Sequence, residues 1–98
     1  MQEEFRRKEA VEKMTANLKV LRNKLDLTQD ELAGKIGISR QTLVNIENRK
    51  RTMTWNAFVA LIAVFRAESS TSSLLDHFEI YSAELEEYLT SPKNIRVE

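Results

Sequence analysis

The chain has 98 residues with 15 basic and 15 acidic side chains, so its formal net charge is zero, and 42% of its residues are hydrophobic. This length fits one domain with a modest core, and the composition is that of a soluble globular protein. Because cysteine is absent, disulfides and thiolate metal sites are excluded. Two glycines and one proline are too few for a turn-rich β-sandwich, so we expect an all-α fold.

The neutral total conceals two halves of opposite charge. Residues 1–66 hold 13 Lys and Arg against 8 Asp and Glu, whereas residues 67–98 hold 2 against 7. This asymmetry suggests a basic module followed by an acidic element with a different task. The first residues lack an apolar stretch, and the longest apolar run, residues 57–65, is about half of what a bilayer needs. We therefore expect a cytoplasmic protein without a membrane partner.

The first predicted helix has apolar residues at alternating steps of three and four, which keeps them on one face. They are Val11, Met14, Leu18, Leu21 and Leu25. Residues 1–12 are either an extension of this helix or a charged N-terminal arm, and the pattern leaves both alternatives open.

Two helix starts follow in close succession. Thr28 and Glu31 form a T-x-x-E capping box, which predicts a helix over residues 29–36 that stops at Gly37. Ser39 repeats the N-cap and predicts a third helix from residue 40 to about 47. Two helices joined by a three-residue corner with a glycine are a helix-turn-helix by geometry.

Thr54 is a predicted cap for a fourth helix over residues 55–66. This helix is apolar on nearly all sides, so we expect it at the centre of the core or covered further by a second subunit. Trp55 and Phe58 on it are interpreted as core residues. Residues 69–73, with the sequence SSTSS, are interpreted as a polar joint.

A fifth helix is predicted after this joint, capped by Ser73 with Asp76 and closed by Pro92. Its apolar stripe either completes the monomer core or forms a homodimer interface, and we favour the interface. The stripe consists of Leu74, Phe78, Tyr81, Leu85 and Tyr88. The predicted organisation is thus a helix-turn-helix domain over 13–66, an acidic C-terminal helix within 67–91 and a tail over 92–98.

The third helix divides its side chains between core and surface. Leu43 and Ile46 belong to the core. The other positions carry groups that read base edges in a major groove, because Arg pairs with guanine, Gln and Asn with adenine, and Val touches the thymine methyl. We predict base contacts from Arg40, Gln41, Val44 and Asn45. Phosphate contacts are predicted for Gln29 at the start of helix two and for the residues after helix three, Asn48, Arg49, Lys50 and Arg51.

The segments L-T-Q-x-E-L-A, I-S-R-x-T and I-E-N, which begin at Leu27, Ile38 and Ile46, resemble the phage repressor-like (Cro/C1, Xre) helix-turn-helix family over about residues 17–66. The resemblance implies a compact, five-helix, lambda-repressor-like domain whose third helix reads the major groove. It also implies a phosphate contact from Thr42 and an ion pair between Arg22 and Glu47.

The chain departs from the pattern of that family after helix three. Many members carry Gly where this chain has Arg49, and residues 51–54 replace the usual turn before helix four. These differences leave open which of Arg49, Lys50 and Arg51 contact phosphate.

The predicted function is sequence-specific transcription regulation, as a dimeric repressor on a palindromic operator of double-stranded DNA. Two alternatives remain: an antitoxin that represses its own operon, or a protein-interaction module that kept the fold without binding DNA. A protein partner would bind through the C-terminal helix. His77 has no acidic or nucleophilic residue at a spacing typical of a catalytic or metal site, except neighbours on its own helix. Residues 69–73 have no base to activate their hydroxyls, so we expect no enzyme, metal or cofactor.

Overall fold

Residues 5–91 are described in a computed structural model of the chain, and they form six α-helices and no strand. The helices are α1 (Arg7–Lys24), α2 (Gln29–Ile36), α3 (Arg40–Glu47), α4 (Trp55–Arg66), α5 (Ser69–His77) and α6 (Ala83–Thr90). The predicted all-α class is confirmed, but two helices stand where a single C-terminal helix was expected. No helix in this part of the chain is long and apolar enough to cross a membrane.

The core lies between α1 and α4. The inner face of α1 is fully buried at Met14, Leu18 and Leu21, and it meets Phe58 and Phe65 of α4. Burying one such side chain contributes about 1.5–3 kcal/mol, and the short helices α2 and α3 add buried Leu32, Leu43 and Ile46 to the same core. The position of Phe58 agrees with its interpretation as a core residue.

The N-terminal part of α1 packs against both α4 and α6. Helix α1 begins at Arg7, so residues 7–12 are helical. Arg7 donates from Nε and Nη2 to the hydroxyl of Tyr88, at 3.0 and 2.8 Å. Its guanidinium also lies 4.7 Å from the ring centre of Trp55, and Phe5 stacks on Tyr88. The two ends of the described chain therefore meet over the first residue of α4.

The prediction of a polar joint over residues 69–73 was wrong, because these residues form the first turns of α5. Thr71 is 0% exposed, and its hydroxyl donates to the main-chain oxygen of Phe65 at the end of α4. Leu75, one turn later, is also buried. A hydroxyl that satisfies a carbonyl of the preceding helix allows this serine-rich segment to pack as a helix.

The prediction of a continuous fifth helix was also wrong. Helix α5 ends at His77, and the chain turns before Ser82 caps α6 by accepting from the N–H of Leu85 at 3.0 Å. Ser73 and Asp76, the predicted cap, lie inside α5. The apolar stripe assigned to one helix therefore comes from two helices and the turn between them. Pro92, the predicted terminator, lies outside the described residues.

Three of the helices end in the same way, with a residue in the left-handed conformation just after the C-cap. These residues are Asp26 after α1, Arg49 after α3 and Glu79 after α5, with φ of 59°, 62° and 59°. After α5, the N–H of Ile80 donates to the oxygen of Leu75, five residues earlier, at 2.8 Å, which is the hydrogen bond that defines a Schellman motif. Glycine is the residue that adopts this conformation without steric cost.

Candidate nucleic-acid interface

The caps of α2 and α3 are formed as predicted. The hydroxyl of Thr28 accepts from the N–H of Glu31 at 3.0 Å, and the Glu31 carboxylate accepts from the N–H of Thr28 at 2.9 Å. Gly37 ends α2 with φ of 79°, and Ser39 caps α3. Helix α2 therefore leads into α3 through the three-residue corner expected from the sequence.

The carboxylate of Glu47, which is fully buried, joins three segments of the interface. Arg22 of α1 donates to it from Nε at 2.8 Å and from Nη2 at 3.2 Å, which confirms the ion pair implied by the family resemblance. Arg22 also donates to the main-chain oxygen of Leu27 at 2.9 Å. Gln29 at the start of α2 completes the set, since its Nε2 donates to Glu47 at 2.9 Å. This network fixes α3 against α1 and α2.

The side chain of Gln29 therefore already makes a hydrogen bond within the protein. The side chain is half-buried, and one of its two amide hydrogens is used by Glu47. The second amide hydrogen and the N–H groups of Gln29 and Asp30 remain as donors for an anion, whereas the N–H of Glu31 is bonded to Thr28. The predicted phosphate contact of Gln29 stays a prediction, with the side chain held in place for it.

The predicted base-reading residues share the side of α3 that faces away from the core. Arg40 and Gln41 are exposed, whereas Val44 and Asn45 are half-buried. Nε2 of Gln41 donates to Oδ1 of Asn45 at 3.2 Å. The core side of the same helix carries Leu43, Ile46 and Glu47, which are buried. The polar groups of α3 are thus accessible to a large partner.

Thr42 lies at the border of this surface and is half-buried. Its N–H donates to the hydroxyl of Ser39 at 3.0 Å, and that hydroxyl in turn donates to Oγ1 of Thr42 at 2.8 Å. A hydroxyl that accepts one hydrogen bond still has its own hydrogen to donate. The pair of hydroxyls can therefore offer one donor to a phosphate oxygen beside the N-terminus of α3.

The loop after α3 presents Asn48, Arg49, Lys50 and Arg51, all exposed. Arg49 differs from the other cations because its Nη1 donates to the carboxylate of Glu12 on α1 at 2.8 Å. Within residues 5–91, no acidic side chain pairs with Lys50 or Arg51. Lys50 and Arg51 are therefore better placed for phosphate than Arg49, whose charge is already partly balanced.

The residues predicted for a dimer interface do not form one continuous stripe. Leu85 is 0% exposed and belongs to the core of a single chain, so it is not available to a second copy. Tyr88 is half-buried in the cluster with Arg7 and Trp55. Leu74, Phe78 and Tyr81 are partly buried against the core, and Arg66 lies over the ring of Tyr81 at 4.1 Å.

Two contacts at the interface could not be read from the sequence. Glu12 and Arg49 are 37 positions apart, and Gln29 and Glu47 are 18 apart. The residue types are common on any charged surface, so no local pattern marks these partners. The first pairing depends on how α1 packs beside the end of α3, and the second depends on how α2 packs against α3.

The fold and this surface define an all-α helix-turn-helix protein. A family model described as helix-turn-helix matches residues 18–64. This match confirms, for residues 18–64, the helix-turn-helix resemblance found in the sequence. The chain is also 29% identical over 68 residues to a protein of Archaeoglobus fulgidus named an uncharacterized HTH-type transcriptional regulator, covering 69% of this chain and 96% of that protein. No solved structure matches the chain significantly.

Proposed function

We propose that this protein is a transcription regulator that binds double-stranded DNA by placing α3 in the major groove. The observation that carries the proposal is the outward face of α3, on which Arg40, Gln41, Val44 and Asn45 are accessible. The loop beside it carries Lys50 and Arg51, which pair with no acidic side chain of residues 5–91. The name of the archaeal relative and the match of the helix-turn-helix family model support the same function.

The proposed contacts divide into reading and positioning. Arg40, Gln41, Val44 and Asn45 contact base edges and select the sequence. The hydrogen bond between Gln41 and Asn45 restricts both side chains before binding, which lowers the entropy lost on contact. Phosphates are bound at the two helix N-termini and by the loop, through Gln29, Thr42, Asn48, Lys50 and Arg51. Arg49 contributes only if it leaves Glu12.

We further propose that two copies bind a palindromic operator and repress transcription by occupying it. In a dimer of this kind, the two recognition helices lie about 34 Å apart, on successive major-groove faces of one side of the duplex. The exposed acids of α6, Glu84, Glu86 and Glu87, favour an arrangement in which this end points away from the phosphates.

Selection of bound duplexes from a random library tests the proposal directly. Enrichment of an inverted repeat is the expected result, and enrichment of no sequence at moderate salt would instead favour a protein-interaction module. On the selected duplex, Gln41→Ala and Asn45→Ala should each lower the specific affinity by about 1–3 kcal/mol. Lys50→Ala should weaken selected and random duplexes alike. Equal losses on both duplexes for Gln41→Ala would contradict base reading.

A further inference from the structure

Helix α1 carries a basic edge, which we define as Lys8 and Lys19. The two lysines are eleven residues apart, so at about 100° per residue their directions differ by only about 20°, and they are separated by about 16 Å along the helix. Both side chains are exposed. They therefore form a line along one side of α1.

Two observed contacts show that this side of α1 faces the helix-turn-helix. Arg22, about 40° from Lys8 on one side, bonds to Glu47 of α3. Glu12, about 40° from Lys8 on the other side, bonds to Arg49 in the loop after α3. The basic edge lies between these two directions, and it therefore borders the surface proposed to bind DNA.

A groove of about 570 Å³ separates the N-terminal half of α1 from the loop. Lys8 and Thr15 line it from the helix, and Arg51 and Thr52 line it from the loop. Glu12 also lines the groove, but its carboxylate is paired with Arg49. The groove thus joins a cation of the basic edge to a cation of the loop.

The cations of the basic edge and two cations of the loop have no acidic partner among residues 5–91. Across the described residues, no acidic group lies within ion-pair distance of Lys8, Lys19, Lys50 or Arg51. Positive charges grouped on one border raise the local potential and attract a polyanion. A single small anion would leave most of a 16 Å line unmatched, whereas each DNA strand presents a charge every 3.4 Å or so along the duplex.

We propose that the basic edge of α1 binds the DNA backbone outside the base pairs contacted by α3, which extends the interface onto the flank of the operator. This inference rests on the proposed function, since it requires that α3 bind DNA. Contacts to the backbone carry no sequence information, so the edge should strengthen binding on a flank of any sequence. An acidic protein surface would be the alternative occupant of the same edge.

The test compares the double variant Lys8→Gln/Lys19→Gln with the control Lys13→Gln. Lys13 lies about 140° from Lys8 on α1, where its Nζ is 3.4 Å from the main-chain oxygen of Glu79. Each substitution to Gln removes one charge from an exposed position of the same helix, and the Lys13 contacts are too exposed to matter for stability. Thermal unfolding should show that all the variants fold.

Affinity is measured as a function of salt concentration on two versions of the selected duplex. One carries flanks of about one helical turn, and the other is trimmed to the base pairs read by α3. On the flanked duplex, each lost contact should reduce the slope of log affinity against log salt concentration by about 0.9. This corresponds to a loss of up to about eightfold in affinity at 0.1 M salt. The double variant should therefore bind the flanked and trimmed duplexes alike, whereas Lys13→Gln behaves as the unmodified protein.

Two outcomes would overturn the inference, and they can be told apart. If the unmodified protein binds the flanked duplex but the double variant keeps the same slope, the basic edge does not contact DNA, while the proposed function stands. If the unmodified protein binds no duplex, the proposed function fails and the inference fails with it.

Discussion

Glu79 holds a backbone conformation that is unfavourable for its side chain. Its φ of 59° ends α5 and directs the chain into the turn before α6. The carboxylate gains little in return, because its distance to Lys13 is 3.9 Å and both groups are well exposed. The same conformation at Arg49 comes with a contact to Glu12 at 2.8 Å. Position 79 is therefore the clearer test of backbone strain.

Replacing Glu79 with glycine should stabilise the fold. The left-handed conformation costs a residue with a side chain about 1–2 kcal/mol, and part of this gain is lost to the greater freedom of glycine in the unfolded chain. Glu79→Gly should therefore be more stable than Glu79→Ala by about 1 kcal/mol in urea unfolding. Equal stability of the two variants would contradict strain at this position.

Thr71 tests the buried hydroxyl at the junction of α4 and α5. Thr71→Val keeps the shape but removes the donor to the carbonyl of Phe65, so the free energy of unfolding should fall by about 1–3 kcal/mol. Thr90→Val is the matched control, because the hydroxyl of Thr90 donates to the oxygen of Glu86 on the surface of α6. A loss as large for Thr90→Val would mean that burial is not the cause.

The helices differ in how far the sequence determines them. The starts of α2, α3 and α4 were predicted at the observed residues, because Thr28, Ser39 and Thr54 cap them with local hydrogen bonds. Helix α5 has no side-chain cap, and its serine-rich start is helical because Thr71 and Leu75 are buried. Packing of this kind overrides local preference, and local sequence does not display it.

The site was predictable to a similar degree. The accessible side of α3 follows from helical periodicity, which places Leu43 and Ile46 opposite Gln41. The partners of Arg49 and Gln29 come from other helices, so the first pairing requires the arrangement of α1 against α3 and the second that of α2 against α3. The sequence therefore predicts the chemistry of each side chain, but it does not predict which side chains already bond to other residues of the protein.

The ion pair between α1 and α3 gives a prediction at the scale of these elements. Arg22→Met leaves the buried carboxylate of Glu47 without its cation and should cost about 3–5 kcal/mol. The double variant Arg22→Met/Glu47→Met removes both charges, so urea unfolding should show much of this loss recovered. A double variant less stable than Arg22→Met would show that the pair itself, and not the stranded charge, dominates.

At the scale of the whole molecule, charge separates the two ends of the domain. Many exposed cations lie along α1, on α3 and in the loop after it, whereas α6 exposes Glu84, Glu86 and Glu87. Helix α6 is held by buried Leu85 and by the contacts of Tyr88 with Arg7 and Phe5. An apolar side chain, Leu89, remains 38% exposed on the same helix.

The proposed homodimer can be tested through this exposed leucine. If the second copy packs on the C-terminal helices, Leu89→Lys should shift sedimentation equilibrium from dimer to monomer. Val20→Lys is the control, because Val20 is 52% exposed on α1. Retention of the dimer by Leu89→Lys, together with its loss in Val20→Lys, would move the interface to α1. A monomeric unmodified protein would contradict the dimer itself.

The position of Trp55 makes it an intrinsic fluorescence probe. It is the one tryptophan of the chain, and its indole is packed with Phe5, Phe58 and Tyr88 and lies below the guanidinium of Arg7. It also lines the groove beside Arg51. Emission from this ring should therefore report, without any attached dye, both the undocking of α6 and the arrival of a ligand in the groove.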